Sequence, residues 1–210
     1  MLQYLTIPVT TFQQNCSLVW CDQTNDAALV DPGGDVKLLI NAIDEAKVNL
    51  KSIWLTHGHL DHVGGCAELK KQFDIPVIGP HIEDEFLINA LPKQCEMFGF
   101  SLVDNFKPDT WLEEGVDLKI GNERFSVVYT PGHTPGHIIF KHTSQKLLWV
   151  GDVLFKGSIG RTDFPRGDHQ QLLTSINNKL LTLDDDYRFI PGHGPESTIG
   201  EERLHNPFLI

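Results

Sequence analysis

Four residues able to bind a metal fall within six positions at His57-Gly58-His59-Leu60-Asp61-His62, a density that solvated loop residues have no need to reach. Imidazole nitrogen and carboxylate oxygen, which bond at ~2.0–2.2 Å, suit zinc, iron or manganese better than calcium or magnesium, which prefer mostly oxygen. In an extended segment residues i and i+2 point the same way, so His57 and His59 are placed to grip one ion while Asp61 and His62 turn toward another. Four neighbouring donors cannot complete two coordination spheres, so distant groups must be recruited. His133 after VVYTPG, Asp152 after LLWVG and His193 after RFIPG stand in the right kind of place, because each, like His57 after IWLT, follows an apolar run.

Those runs read as strands that hold the polar residues at their ends, where a rigid sheet fixes position while leaving side chains accessible. Cys16–Cys21 and Ala27–Asp31 form an expected hairpin through the polar DQTND turn, and Asp35 is placed as the N-cap of a helix over VKLLINAIDEAK. Ser52–Thr56 reads as a buried strand, Glu68–Phe73 as helical, and Ile82–Leu91 as a helix stopped by Pro92. The second half follows the same pattern, with strands at Phe125–Tyr129, His137–Lys141 and Leu147–Val150, a helix over His169–Leu181, and a last strand at Tyr187–Ile190. Hairpins mixed with helices imply an α+β fold, an αββα sandwich of two mixed sheets packed face to face with helices outside, in one domain over residues 1–210.

Composition excludes several functions. Seventeen basic against 28 acidic residues give a net charge of −11 with no Lys/Arg run, so nucleic acid is not the expected partner. No apolar stretch of ~18 residues is present to enter a membrane, and the first residues lack the pattern of a secretion signal, which makes the cytoplasm the expected location. Cys16, Cys21, Cys66 and Cys95 form no CxxC pair and read as thiols. GxSxG is absent, which disfavours a covalent serine mechanism. His81, His142, His169 and His205 read as surface or cap residues.

The ordered set THGHLDH, PGHTPGH, GDVLF and PGHG resembles the successive ligand motifs of metallo-β-lactamase-fold hydrolases, over nearly the whole chain. The resemblance implies two divalent ions, zinc first with iron or manganese as alternatives. His57, His59 and His133 would bind one, Asp61, His62 and His193 the other, and Asp152 would bridge both. Asp61 would also act in catalysis by orienting the bridging hydroxide. Asp31, Thr56 and His137 would support the ligands from behind, although Asp31 in VDPGG also suits a turn and His137 the start of a strand.

Within the superfamily the chain is similar to short glyoxalase II enzymes, which implies a hydroxyacylglutathione hydrolase cleaving S-lactoylglutathione to lactate and glutathione. A thioester suits such a site, since a thiol with a reference pKa of ~8.5 leaves without a general acid. Longer glyoxalase II proteins carry a C-terminal helical domain that helps hold glutathione. Here Lys156 and Arg161 are the substrate-binding candidates, with pairing of Arg161 to Asp163 as the plainer alternative. The GRTDF stretch also resembles iron-dependent persulfide dioxygenases acting on glutathione persulfide, and a non-enzymatic metal-binding protein of the same fold is the third reading.

Overall fold

In the computed structural model, which describes residues 1–209, two mixed sheets lie face to face. The first has the order β1 (Leu2–Val9), β2 (Gln14–Cys21), β3 (Asp26–Val30), β4 (Asn49–Trp54) and β5 (Val77–Ile78), antiparallel up to β3 and parallel from β3 to β5. In the second, β6 (Asp117–Ile120), β7 (Glu123–Tyr129), β8 (Ile138–His142) and β9 (Leu147–Gly151) run antiparallel. β9 leads into a small hairpin of β10 (Leu154–Phe155) and β11 (Ser158–Ile159), and the sheet is completed by β12 (Arg188–Pro191), parallel to β9, and β13 (Ser197–Thr198). Five helices accompany the first half: α1 (Val36–Ala46), α2 (Leu60–Val63), α3 (Cys66–Phe73), α4 (Glu85–Asn89) and α5 (Leu91–Phe98). Two follow the second: α6 (His169–Ser175) and α7 (Ile199–His205).

Strand alternation explains the layering. Successive side chains of a strand face opposite sides of the sheet. In the central strands both sides are covered, so the runs are continuously apolar rather than alternating. Val19, Ala28, Val30 and Trp54 meet Phe125, Val127, Ile138, Phe140 and Trp149 between the sheets. Their neighbours Leu18, Ala27, Leu29 and Ile53 face outward onto Leu39, Ile43, Leu69 and Leu91 of the first helical layer. Ile139, Leu148, Val150 and Phe189 do the same toward Leu172 and Ile176 on the other side. Trp54 meets Phe125 edge-on at 5.0 Å, one of the aromatic contacts that join the sheets.

The structure departs from the local expectations at five places. β1, absent from the expected strands, pairs with β2 along its full length from Leu2↔Cys21 to Val9↔Gln14; its sequence LQYLTIPV alternates too weakly to announce a strand. Asp35 takes the expected N-cap position of α1, and its carbonyl accepts from Leu38 N, but its backbone is left-handed and its carboxylate accepts from Thr10 N at 2.7 Å rather than from the helix. Pro92 does not stop a helix: a 3-10 turn over Ile82–Asp84 and α4 precede it, and it sits in the first turn of α5, where a missing N–H costs nothing. His142 is buried and bonds Glu123 at 2.9 Å, so it is no surface residue. The helix from His169 changes to a π turn at Ile176–Leu180. All four cysteines are free and buried, and among the described residues no helix is long and apolar enough to cross a membrane.

Candidate metal centre

The seven predicted donors converge at one end of the sandwich. β4 runs through Leu55 and Thr56 into His57; His59 precedes α2, which carries Asp61 and His62. From the second sheet, the segment after β7 brings His133, Asp152 follows the last residue of β9, and β12 leads through Gly192 to His193. A bond from Ile138 N to Thr56 O (2.9 Å) joins the two sheets directly behind the site.

His57 Nε2 and His133 Nε2 each lie 3.0 Å from His59 Nδ1. Across the site, Asp61 Oδ2 is 3.2 Å from His193 Nε2 and 3.9 Å from His62 Nε2. Asp152 stands between the groups: Oδ1 is 3.4 Å from His62 Nε2, and Oδ2 is 3.7 Å from both His133 Nε2 and His193 Nε2. Donors arranged tetrahedrally around an ion at ~2.0–2.1 Å would lie about 3.3 Å apart, which is the range found here. His57, His59 and His133 form one compact set of donors, and Asp61, His62 and His193 another.

The outer nitrogens explain why the inner ones are free to bind. His133 Nδ1 bonds the Arg161 carbonyl at 2.7 Å, and His193 Nδ1 bonds the Phe12 carbonyl at 3.1 Å; a carbonyl only accepts, so both Nδ1 atoms carry the proton. Asp31 fixes two more rings. It accepts from His62 Nδ1 at 2.9 Å and from the Thr56 hydroxyl at 2.6 Å, and that hydroxyl, its proton committed, accepts from His57 Nδ1 at 3.0 Å. The Nε2 lone pairs of His57 and His133 thus both point at His59 Nδ1, which has at most one proton to offer. His62 Nε2 and Asp152 Oδ1 are buried with no hydrogen-bond partner. Converging lone pairs and orphaned buried atoms are what a cation would satisfy, so these residues fit a dinuclear metal site.

Electrostatics divides the two sets. Burial, reinforced by the neighbouring imidazoles, pushes His57 well below its usual pKa of 6.5 and His59 down to about 3. Burial also lowers His133, more than Asp152 can restore. It opposes charge on His62 and His193 as well, but Asp152 and Asp61 outweigh it at His62, and the Asp61 hydrogen bond does so at His193, leaving both raised. Asp61 and Asp152 are held below the carboxylate range despite burial, chiefly by His62. His137 is not among the converging donors: it stacks on His57 at 4.8 Å, and its Nε2 accepts from Asp152 N at 3.1 Å.

A cavity of about 480 Å³ opens over the donors, walled by Phe12, Phe98, Phe155, Ile159 and Phe164, with Ser158 and Arg161 at its side. Arg161 is largely committed: its guanidinium makes two 2.6 Å bonds to Asp163 and lies 4.2 Å from the Phe164 ring centre. Lys156 is exposed on the β10–β11 turn and does not line the cavity. The phenylalanine wall is not foreshadowed by any motif, since its members come from four separate segments without a common spacing. Nor is buried Gln94, whose Oε1 accepts from Leu60 N at 2.9 Å at the start of α2, or buried Asp84.

Known proteins are similar to this chain along nearly its whole length. Hydroxyacylglutathione hydrolase GloC of Haemophilus influenzae is 52% identical over 204 residues, spanning 97% of this chain and 96% of the relative. Among solved structures, the BLEG-1 B3 metallo-beta-lactamase superposes with a TM-score of 0.91 at 38% identity, covering 99% of both chains. TTHA1623, solved in a di-iron-bound form, gives 0.90 at 35% identity, covering 98% of this chain and all (100%) of that one. With the family description "Metallo-beta-lactamase superfamily" matching residues 9–193, the chain belongs to the metallo-β-lactamase superfamily.

Proposed function

We propose that this protein is a dinuclear metal-dependent thioester hydrolase, acting on hydroxyacylglutathione thioesters such as S-lactoylglutathione. The observation that carries the reading is the pair of donor sets meeting at Asp152, open to a cavity and joined to 52% identity with a hydroxyacylglutathione hydrolase along almost the entire chain. His57, His59 and His133 would hold one ion, Asp61, His62 and His193 the second, and Asp152 would touch both. Zinc suits the donor chemistry, and iron is supported by the related protein with two irons. Bound there, two divalent ions would polarise a thioester carbonyl and bring the pKa of water from 15.7 toward ~7.

The chain's own groups supply the rest. Asp61, part-exposed toward the cavity, is placed to accept a hydrogen bond from the attacking water and orient it. The phenylalanine wall offers apolar surface against which the substrate would pack, and the volume lies within the usual ~300–1,000 Å³ of small-molecule sites. A thiol leaving group departs as thiolate at a reference pKa of ~8.5, so the scarcity of proton donors in the wall is no obstacle. Arg161 at the rim, and Lys156 farther out, would attract the carboxylates of glutathione. Four free thiols fit a reducing cytoplasm. The complete Asp61, His62 and His193 set favours this chemistry over a one-iron dioxygenase, which needs only a single two-histidine, one-carboxylate face.

Protein purified without added metal should carry about two ions per chain and hydrolyse S-lactoylglutathione without consuming oxygen. Asp152→Ala should lose metal and turnover together. Unchanged stoichiometry and turnover in that variant would refute the assignment, and oxygen uptake with glutathione persulfide would move it to the dioxygenase class.

A further inference from the structure

The 3-10 turn over Ile82–Asp84 belongs to neither sheet and contributes no donor, yet it touches both segments that carry the three-histidine set. Asp84 is completely buried (0% exposed). Its Oδ2 accepts from Gly58 N at 2.9 Å and from the Thr134 hydroxyl at 2.8 Å, and its Oδ1 accepts from Gly136 N at 2.6 Å. The contact is returned at the start of the turn, where His81 N donates to Gly136 O at 3.1 Å. Gly58 lies between His57 and His59, and Thr134 follows His133, so one carboxylate spans the two ligand segments.

The glycines of both motifs leave room for this turn and for α4, which follows it. A Cβ at position 136 would lie 2.5 Å from Asp84 N and 2.7 Å from its Cγ, and one at position 58 would lie 2.9 Å from Leu87 Cβ. Burial lifts the Asp84 pKa to about 6, against the three bonds it accepts, so at neutral pH it remains an acceptor-only carboxylate. We propose that Asp84 is a positioning residue that sets the separation of the His57–His59 and His133 segments, and through it the metal affinity of that set alone. The inference rests on reading these histidines as ligands.

Asparagine tests it because the change is nearly isosteric. Both carboxylate oxygens face a peptide N–H, so whichever way the amide turns, its NH₂ opposes a donor and one tie is lost. The other set is anchored elsewhere, His62 by Asp31 and His193 by Phe12. Groups that orient metal ligands typically carry about 10–100-fold in affinity.

Metal-free wild type, Asp84→Asn, Thr134→Ala and Thr134→Ser would be titrated with Zn²⁺ against a competing chelator, with ¹⁵N-histidine NMR reporting each imidazole. In Asp84→Asn, His59 and His133 should saturate at zinc activities about 10–100-fold higher, while His193 shifts less than about 3-fold. Thr134→Ala should show a smaller shift of the same pattern, and Thr134→Ser, which keeps the hydroxyl, should sit near wild type. Equal saturation of His59 and His133 in wild type and Asp84→Asn, or equal weakening of both sets, overturns the inference. Should Asp84→Asn fail to fold, the two Thr134 variants decide by the same criterion. Wild-type imidazoles indifferent to zinc would instead sink the metal centre, and this inference with it.

Discussion

Replacing Asp31 by asparagine should weaken metal binding through a tautomer rather than through any lost ligand. Asp31, at the end of β3, is 2% exposed, and its two oxygens accept three hydrogen bonds, from Thr56 N (2.8 Å), the Thr56 hydroxyl (2.6 Å) and His62 Nδ1 (2.9 Å). Thr56 N bonds Oδ1, whereas the hydroxyl and the imidazole share Oδ2. With the amide oxygen kept on Thr56 N, the NH₂ must face the other two. His62 then turns Nδ1 into an acceptor and carries its proton on Nε2, the atom that faces Asp152. The Thr56 hydroxyl loses the acceptor that fixed its direction, and His57, which leans on it, loses orientation as well. A hydrogen bond to a charged group is worth about 1.5–3 kcal/mol, and at 1.36 kcal/mol per decade that is about one to two decades of affinity. Chelator competition on metal-free Asp31→Asn should therefore show zinc bound about 10–100-fold more weakly, with circular dichroism confirming the fold. Affinity within about 2-fold of wild type would mean that Asp31 does not govern the protonation of His62, and the reasoning would fail.

Metal binding should release protons in one set and not in the other. His62 and His193 are raised above 6.5, so at pH 6.5 the metal-free protein holds them charged and an incoming cation must displace those protons. Affinity at that set should climb with pH by up to about two decades per unit, while the three-histidine set, with all its members lowered, binds without release. Calorimetry in two buffers of different ionisation enthalpy counts the protons, and zero release at pH 6.5 contradicts the assignment. Arg161→Ala should raise KM for a glutathione thioester by no more than about 5-fold with kcat nearly unchanged, since the guanidinium is exposed and already paired to Asp163. The backbone carbonyl that orients His133 survives that substitution. A large fall in kcat would place Arg161 in the chemistry instead.

The donor side of the site was legible because each of the four segments that carry the candidate donors follows a short run of apolar residues that a buried strand explains. IWLT, VVYT, LLWV and RFI each fill both faces of a covered sheet, and the chain must leave the sheet where the apolar run ends. That exit is where His57, His133, Asp152 and His193 stand. Alternation along the strands likewise underlies the two-sheet packing, with Leu18 of β2 outward and Val19 inward, and Ile53 of β4 outward and Trp54 inward. β1 was not legible, since an edge strand with Gln3, Thr6 and Pro8 carries a weak pattern and draws its pairing from β2. Asp35 was legible as the residue that starts α1, but not the use of its side chain, which a tertiary bond to Thr10 draws away from the helix. Asp84 gave no signal at all, because its partners lie 26, 50 and 52 residues away and acidic residues before a helix are ordinary.

The substrate side was hidden for a deeper reason, visible in how the β10–β11 hairpin is held. Phe155, Ser158 and Ile159 of this hairpin wall the cavity, but its position is set from α7. Buried Glu202 accepts from Gly157 N at 2.7 Å and from Asn206 Nδ2 at 2.8 Å, and the same Asn206 amide donates to Ser158 O at 3.0 Å. Metal ligands must be particular residue types, so they leave a trace in the sequence. A cavity wall needs only apolar bulk in the right place, and that place is fixed by backbone ties from a remote helix. The candidate donors of this superfamily member are accordingly written in its motifs, whereas the shape of the cavity over them rests on contacts such as Glu202 with Gly157, which no local pattern encodes.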